Sequence, residues 1–168
     1  MSITSLNKNF DKEFKNFIIC DFVIDSDDAK IVYNSSNIKF NFMKPVLKIN
    51  IIKFDEDVHN RISSFVLSDG DLKDLKESSL GLIESSWELI DKIEIDACQL
   101  LILPEDVIND ELDNWLESNI KMNELYKVEE DGKICMISGF GPGVYRLMGI
   151  KDNDIYKAIK MEFIKENV

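Results

Sequence analysis

The side chains able to do covalent chemistry are few and widely spaced. His59 is the single histidine and follows Asp55-Glu56-Asp57 in a polar stretch. Cys20, Cys98 and Cys135 are far apart, with no CxxC pair. A catalytic Cys–His or Ser–His–Asp arrangement needs its histidine beside a nucleophile, and zinc needs several nitrogen or sulfur ligands at close spacing. Neither pattern is present. The histidine reads as an exposed loop residue. The cysteines, set among apolar neighbours as in Phe17-Ile18-Ile19-Cys20, read as buried free thiols of a reducing compartment. No metal and no organic cofactor is expected.

Three acidic clusters invite a calcium reading: Asp25-Ser26-Asp27-Asp28, Asp69-Gly70-Asp71 and Asp152-Asn153-Asp154. None has the alternating ligands, central glycine and terminal glutamate of an EF-hand loop, so all three read as turns. Gly139-Phe140-Gly141-Pro142-Gly143 lacks the lysine and hydroxyl of a Walker loop and the spacing of a dinucleotide fingerprint. Its flanks read as strands, so no helix N-terminus follows to hold an anion. We read it as a tight β connection.

The charge is informative. The 168 residues include 20 basic and 32 acidic side chains, a net charge of −12. Such a chain repels nucleic acid and anionic membrane and attracts basic partners. Residues 1–54 hold 8 lysines against 6 acids, whereas residues 105–131 hold 10 acids against Lys121 and Lys127. No apolar run reaches the length of a membrane span. Residues 1–16 lack the apolar stretch of a secretory signal, so the expected location is the cytoplasm. The length suits a single domain over 1–168, able to bury roughly two thirds of its unfolded surface.

The elements that must position these residues follow from periodicity. Phe10, Phe14 and Phe17 recur at helical spacing and predict a short N-terminal helix. Residues 17–24 predict a buried strand, and 30–33 with 37–43 a hairpin around Asn34-Ser35-Ser36-Asn37. Residues 46–54 form a strand whose phase slips between Ile51 and Ile52, which predicts a bulge. Residues 62–67 read as a strand. Leu72, Leu75, Leu82, Trp87, Leu89 and Ile90 fit helix spacing. Residues 93–96 and 99–103 are strand-like and end at Pro104. Val107, Ile108, Leu112, Trp115, Leu116 and Ile120 predict a helix with one apolar face, and Asp106, Asp110, Asp113 and Glu117 line its opposite face. Residues 125–130 and 133–138 flank Asp131-Gly132, which predicts a hairpin with a type I′ turn. Strands over 144–150 and 155–164 follow. The expected fold class is α+β: a mainly antiparallel β-sheet with two or three helices packed on or beside it.

Two segments resemble an uncharacterised bacterial domain family. Ile95-Asp96-Ala97-Cys98-Gln99-Leu100 is similar to that family's Val-Asp-Ala-Gly-Gln-Leu strand. Ser138-Gly139-Phe140-Gly141-Pro142-Gly143-Val144-Tyr145, reached from Asp131-Gly132-Lys133, resembles its closing hairpin, Ser-Gly-Trp-Gly-Asp-Gly-Ser-Tyr. Cys98 stands where the family has glycine, and Pro142 where it has aspartate. The resemblance covers residues 93–164 and carries no catalytic residue. Some members of the family sit in toxin–immunity loci.

These observations suggest a protein-binding inhibitor rather than an enzyme: an immunity protein that neutralises a bacterial toxin, a nuclease among the candidates, by direct contact. Asp106, Asp110, Asp113 and Glu117 would face a basic toxin domain, and Phe140 and Tyr145 would anchor it. The alternative is a small-molecule-binding domain or enzyme with its site near the Gly139–Gly143 loop.

Overall fold

The computed structural model describes residues 1–25, 30–36, 38–71, 87–96, 99–119 and 124–164. Among these residues twelve strands form two antiparallel sheets. The first sheet contains β1 (Ser2–Asn9), β5 (Pro45–Lys53), β6 (Arg61–Asp69), β12 (Ile155–Glu162), β11 (Gly143–Asp152) and β7 (Glu88–Ile95), in that spatial order. The second contains β3 (Lys30–Ser35), β2 (Phe14–Asp25), β8 (Gln99–Leu103), β10 (Ile134–Ile137) and β9 (Tyr126–Val128), with β4 (Phe40–Phe42) also on β2.

The sheets pack face to face around one apolar core. Leu47, Ile49, Phe65, Leu147 and Met161 come from the first sheet; Phe14, Phe17, Phe42, Ile102 and Met136 come from the second. Each side chain buried in this way contributes about 1.5–3 kcal/mol. The second sheet is covered on its other face too. Cys20, Leu101, Leu103 and Cys135 pack there against Val107, Leu112 and Leu116. All five residues of β8 are therefore buried, and the run Leu100-Leu101-Ile102-Leu103 shows no alternation.

The helical half of the α+β expectation is overturned. Among the described residues there is one α-helix, α1 (Leu112–Asn119), and one 3-10 turn, Glu105–Val107. The fold is a two-layer β-sandwich with a short helix on one outer face. The Phe10, Phe14 and Phe17 spacing does not mark a helix. Phe14 and Phe17 lie on β2, three residues apart and both fully buried. Residues three apart on a regular strand face opposite ways. Here the register against β4 shifts between them, and Asn16 takes φ +46°. The bulge turns both rings inward and imitates a helical repeat.

The helix expected from Pro104 onward starts late. Asn109 accepts the Glu111 N–H on its side chain (3.0 Å) and the Leu112 N–H on its carbonyl (3.1 Å). That local turn satisfies the first helical donors at Leu112 rather than at Glu105. Leu89 and Ile90 belong to β7, not to a helix; Leu72, Leu75, Leu82, Ile120 and Lys121 lie outside the described residues. The expected β3–β4 hairpin does not form. Both strands pair with β2, β3 along its second half and β4 along its first.

Other expectations hold. The register of β5 against β6 shifts between Asn50 and Ile51, one residue before the phase slip, and the extra residue of the bulge is Ser63, on β6. β9 and β10 pair antiparallel about Asp131-Gly132. The turn type differs: only Gly132, at φ +99°, is left-handed. Gly132 N–H donates to Glu129 O and Glu129 N–H to Lys133 O, the pattern of a type I turn closed by a glycine bulge. The type I′ geometry occurs instead at Asn153 (φ +52°) and Asp154 (φ +64°), between β11 and β12.

Candidate protein-binding surface

The connection from β10 to β11 is short and heavily tied down. Gly139 and Gly141 take φ +50° and +120°. A Cβ on Gly139 would lie 2.9 Å from the Cβ of Phe163, so glycine is required there. The Gly141 N–H donates to Ser138 O at 2.7 Å, and the buried Ser138 hydroxyl donates to Gly141 O at 2.9 Å. The Tyr145 hydroxyl donates to the same Gly141 oxygen at 2.6 Å. With the backbone held from three sides, Phe140 projects outward and is 64% exposed.

Its ring is supported, not loose. Phe54 stacks on it at 6.1 Å and an interplanar angle of 14°. The Arg61 guanidinium lies 4.6 Å from the Phe140 centroid, a cation–π contact. Arg61 in turn pairs with Asp57 at 2.6 Å. The Arg61 hydrogen bond, joined by the His59 backbone N–H, holds the Asp57 carboxyl below its usual range. Val58 and Val144, 84% and 63% exposed, add apolar surface. A shallow groove of about 450 Å³ runs between Val58, Leu125, Ile137 and Gly139. A preorganised aromatic beside an arginine is the composition of an interface hot spot.

The sequence-derived set divides in the structure. Phe140 is an exposed anchor. Tyr145 is half-buried, braces the loop and packs edge-on against Phe163 at 5.1 Å. Asp113 and Glu117 are exposed one turn apart on α1. Asp106 and Asp110 precede that helix, so the four do not form one helix face. Asp106 is ion-paired to Lys12 at 2.6 Å, and Glu129 and Glu130 have lysine partners. Among the described residues no cation lies within ion-pair distance of Asp110, Glu111, Asp113 or Glu117. These four lie close together in the chain and carry their charge without a cation partner among the described residues.

The anchor and the helix are linked through β8. Gln99 at the start of β8 donates to Asn119 O at the end of α1, at 3.1 Å. Gln99 also pairs with Ile137, two residues before Gly139. The final turn of α1, with Glu117, therefore sits at the Phe140 end of the second sheet. Sequence reasoning missed Phe54, Asp57, Arg61 and Glu111. Glu111 stood within the acidic run and was recoverable from it. The other three lie some eighty residues before Phe140, and no spacing rule joins them.

Cys98 and the Ser26-Asp27-Asp28 part of the first acidic cluster lie outside the described residues, and the other candidates are structural. Cys20 and Cys135 are free and buried, on either side of Leu101 in one cross-strand row. Two strand spacings separate them by about 10 Å, too far for a disulfide. Burial raises both thiols, Cys135 up to about 12. His59 is exposed. Asp69 receives the Lys44 N–H and faces Lys157, as a turn residue does. Among the described residues no three His, Cys, Asp or Glu side chains are grouped to hold a metal, and no helix is long and apolar enough to cross a membrane. No family model, curated protein or solved structure matches the chain.

Proposed function

We propose that this chain is a protein-binding inhibitor of the immunity-protein type, which neutralises a basic bacterial toxin by direct contact. The observation that carries the reading is Phe140: a large aromatic, 64% exposed, fixed on a braced loop and in contact with both Phe54 and Arg61. The part of the ring left in water adds nothing to the fold beyond its contacts with Phe54 and Arg61, whereas insertion into a partner's pocket buries its apolar area at about 25 cal/mol per Å². The acidic group Asp110, Glu111, Asp113 and Glu117 supplies the long-range attraction. Opposite charge steers encounter with a basic partner, and the fixed aromatic sets the lifetime of the complex. The family that residues 93–164 resemble in the segments quoted above has some members in toxin–immunity loci, which is in keeping with the same reading.

The test is growth rescue. Wild-type chain and a Phe140→Ala variant serve as bait in a lysate of the source organism, and the captured basic protein is expressed in a heterologous host. The captured protein should arrest growth. Co-expression of the wild-type chain should restore growth, and Phe140→Ala should restore it poorly while folding normally. A partner that is harmless when expressed, or a variant that rescues fully, would defeat the proposal.

A further inference from the structure

The first sheet ends in two edge strands of eight residues each, β1 and β7, and they are protected very differently. β7 carries Glu88, Asp91, Lys92 and Glu94, and its ladder with β11 is interrupted between Leu147 and Met148. Charges and bulges of this kind discourage a further strand from adding to an edge. β1 has neither safeguard. Its eight pairs with β5 run without a bulge, from Ser2↔Lys53 to Asn9↔Val46. Its one charged residue, Lys8, is paired with Glu130 at 2.6 Å. Ser2, Ile3, Thr4, Ser5, Asn7 and Asn9 are exposed, and among the described residues only β5 pairs with this strand. Among the described residues nothing bonds the outer backbone donors and acceptors of β1.

The charge at this edge is opposite to that of the chain as a whole. β1 and β5 together carry Lys8, Lys48 and Lys53 and no carboxylate. Lys48 and Lys53 are exposed, with no anion at ion-pair distance among the described residues. We propose that β1 is a docking edge for an extended, acidic segment of another protein, which adds to the first sheet as a seventh strand. Backbone hydrogen bonds along β1 supply affinity, as in other strand-addition complexes. Lys48 and Lys53, one strand further in, select against basic segments. This surface is distinct from the acidic group on α1, which attracts the opposite charge.

The test uses two synthetic octapeptides, one alternating valine with glutamate and one alternating valine with lysine, added to the full chain at low and high salt. Amide exchange followed by NMR should show new protection at alternate residues of β1 with the glutamate peptide. Its affinity should exceed that of the lysine peptide by about tenfold at low salt, with the gap closing at high salt. Alternate residues of a strand direct their N–H groups to opposite neighbours. One of Thr4→Pro and Ser5→Pro therefore removes an outward donor and spares the ladder to β5. That variant should fold and lose the peptide. Replacing Lys48 and Lys53 by glutamate leaves the backbone edge intact and should reverse the charge preference in favour of the lysine peptide. Unchanged exchange in β1, or equal binding of the two peptides, would overturn the proposal. So would concentration-dependent protection of β1 without peptide, because the edge would then be occupied by a second copy of the chain.

Discussion

The Tyr145 hydroxyl donates to the Gly141 carbonyl at 2.6 Å, and this bond turns an expected contact residue into the brace of the loop that presents Phe140. Tyr145→Phe removes the donor and keeps the ring packed on Phe163. We expect a stability loss of about 1 kcal/mol in urea denaturation. We also expect faster dissociation from the partner, because the Phe140 ring is no longer fixed before contact. A variant that binds like wild type would mean that the loop holds its shape without Tyr145.

Charge should govern the approach to the partner more than the lifetime of the complex. Changing Asp110, Glu111, Asp113 and Glu117 to their amides removes four uncompensated charges. Stopped-flow association should slow by about tenfold at low salt, and the difference should shrink as salt is added. Replacing Asp106 alone should matter less for association, since Lys12 already neutralises it. Equal rates at low salt would make this acidic group an ordinary solvated surface.

The buried thiols make stability fall in alkali. The folded chain keeps the Cys135 proton up to about pH 12, whereas an unfolded thiol releases it near 9.0. Between these values the unfolded state binds fewer protons, so stability is fully present below pH 9 and declines as pH rises. One thiol contributes a slope of about 1.4 kcal/mol per pH unit at most. Urea denaturation of wild type and Cys135→Ala from pH 8 to pH 10.5 should show a flatter decline in the variant. Parallel curves would contradict the assignment.

Gly132 is constrained twice. It takes φ +99°, and a Cβ there would lie 2.8 Å from the Phe14 ring and 2.9 Å from the Pro104 ring. Backbone strain and overpacking together should cost Gly132→Val about 2–4 kcal/mol, read as a lower denaturation midpoint. A midpoint unchanged from wild type would show that the turn adapts.

Much of the sheet content was legible because alternation survives in half-buried strands such as β5, and the slip at Ile51 lies beside the bulge, whose extra residue belongs to β6. The helical content was misjudged for a local reason. A single left-handed residue, Asn16, converts period two into an apparent period three. Asn109 ended the apparent reach of the α1 pattern toward Pro104 by starting the helix itself. β1 went unseen because only Ile3 and Leu6 are apolar in it; β5 recruits it through its backbone. The partnership of Phe54 and Arg61 with Phe140 is tertiary, so no window of sequence contains it.

The pairing of β6 with β12 sets an order on synthesis. Ser64–Ser68 meet their partners only at Ala158–Glu162, ninety residues later. β5 and β6 can pair as a hairpin, and β1 can join β5, as soon as they leave the ribosome. The inner edge of β6 must then wait for nearly the whole chain, and β2 waits likewise for Leu101–Leu103. Such distant pairings slow folding and leave apolar strands unsheathed meanwhile. A nascent chain of about 95 residues, made before β8, would thus hold two open sheet edges at once. Arrested or truncated translation products of this length should be the species that chaperones retain.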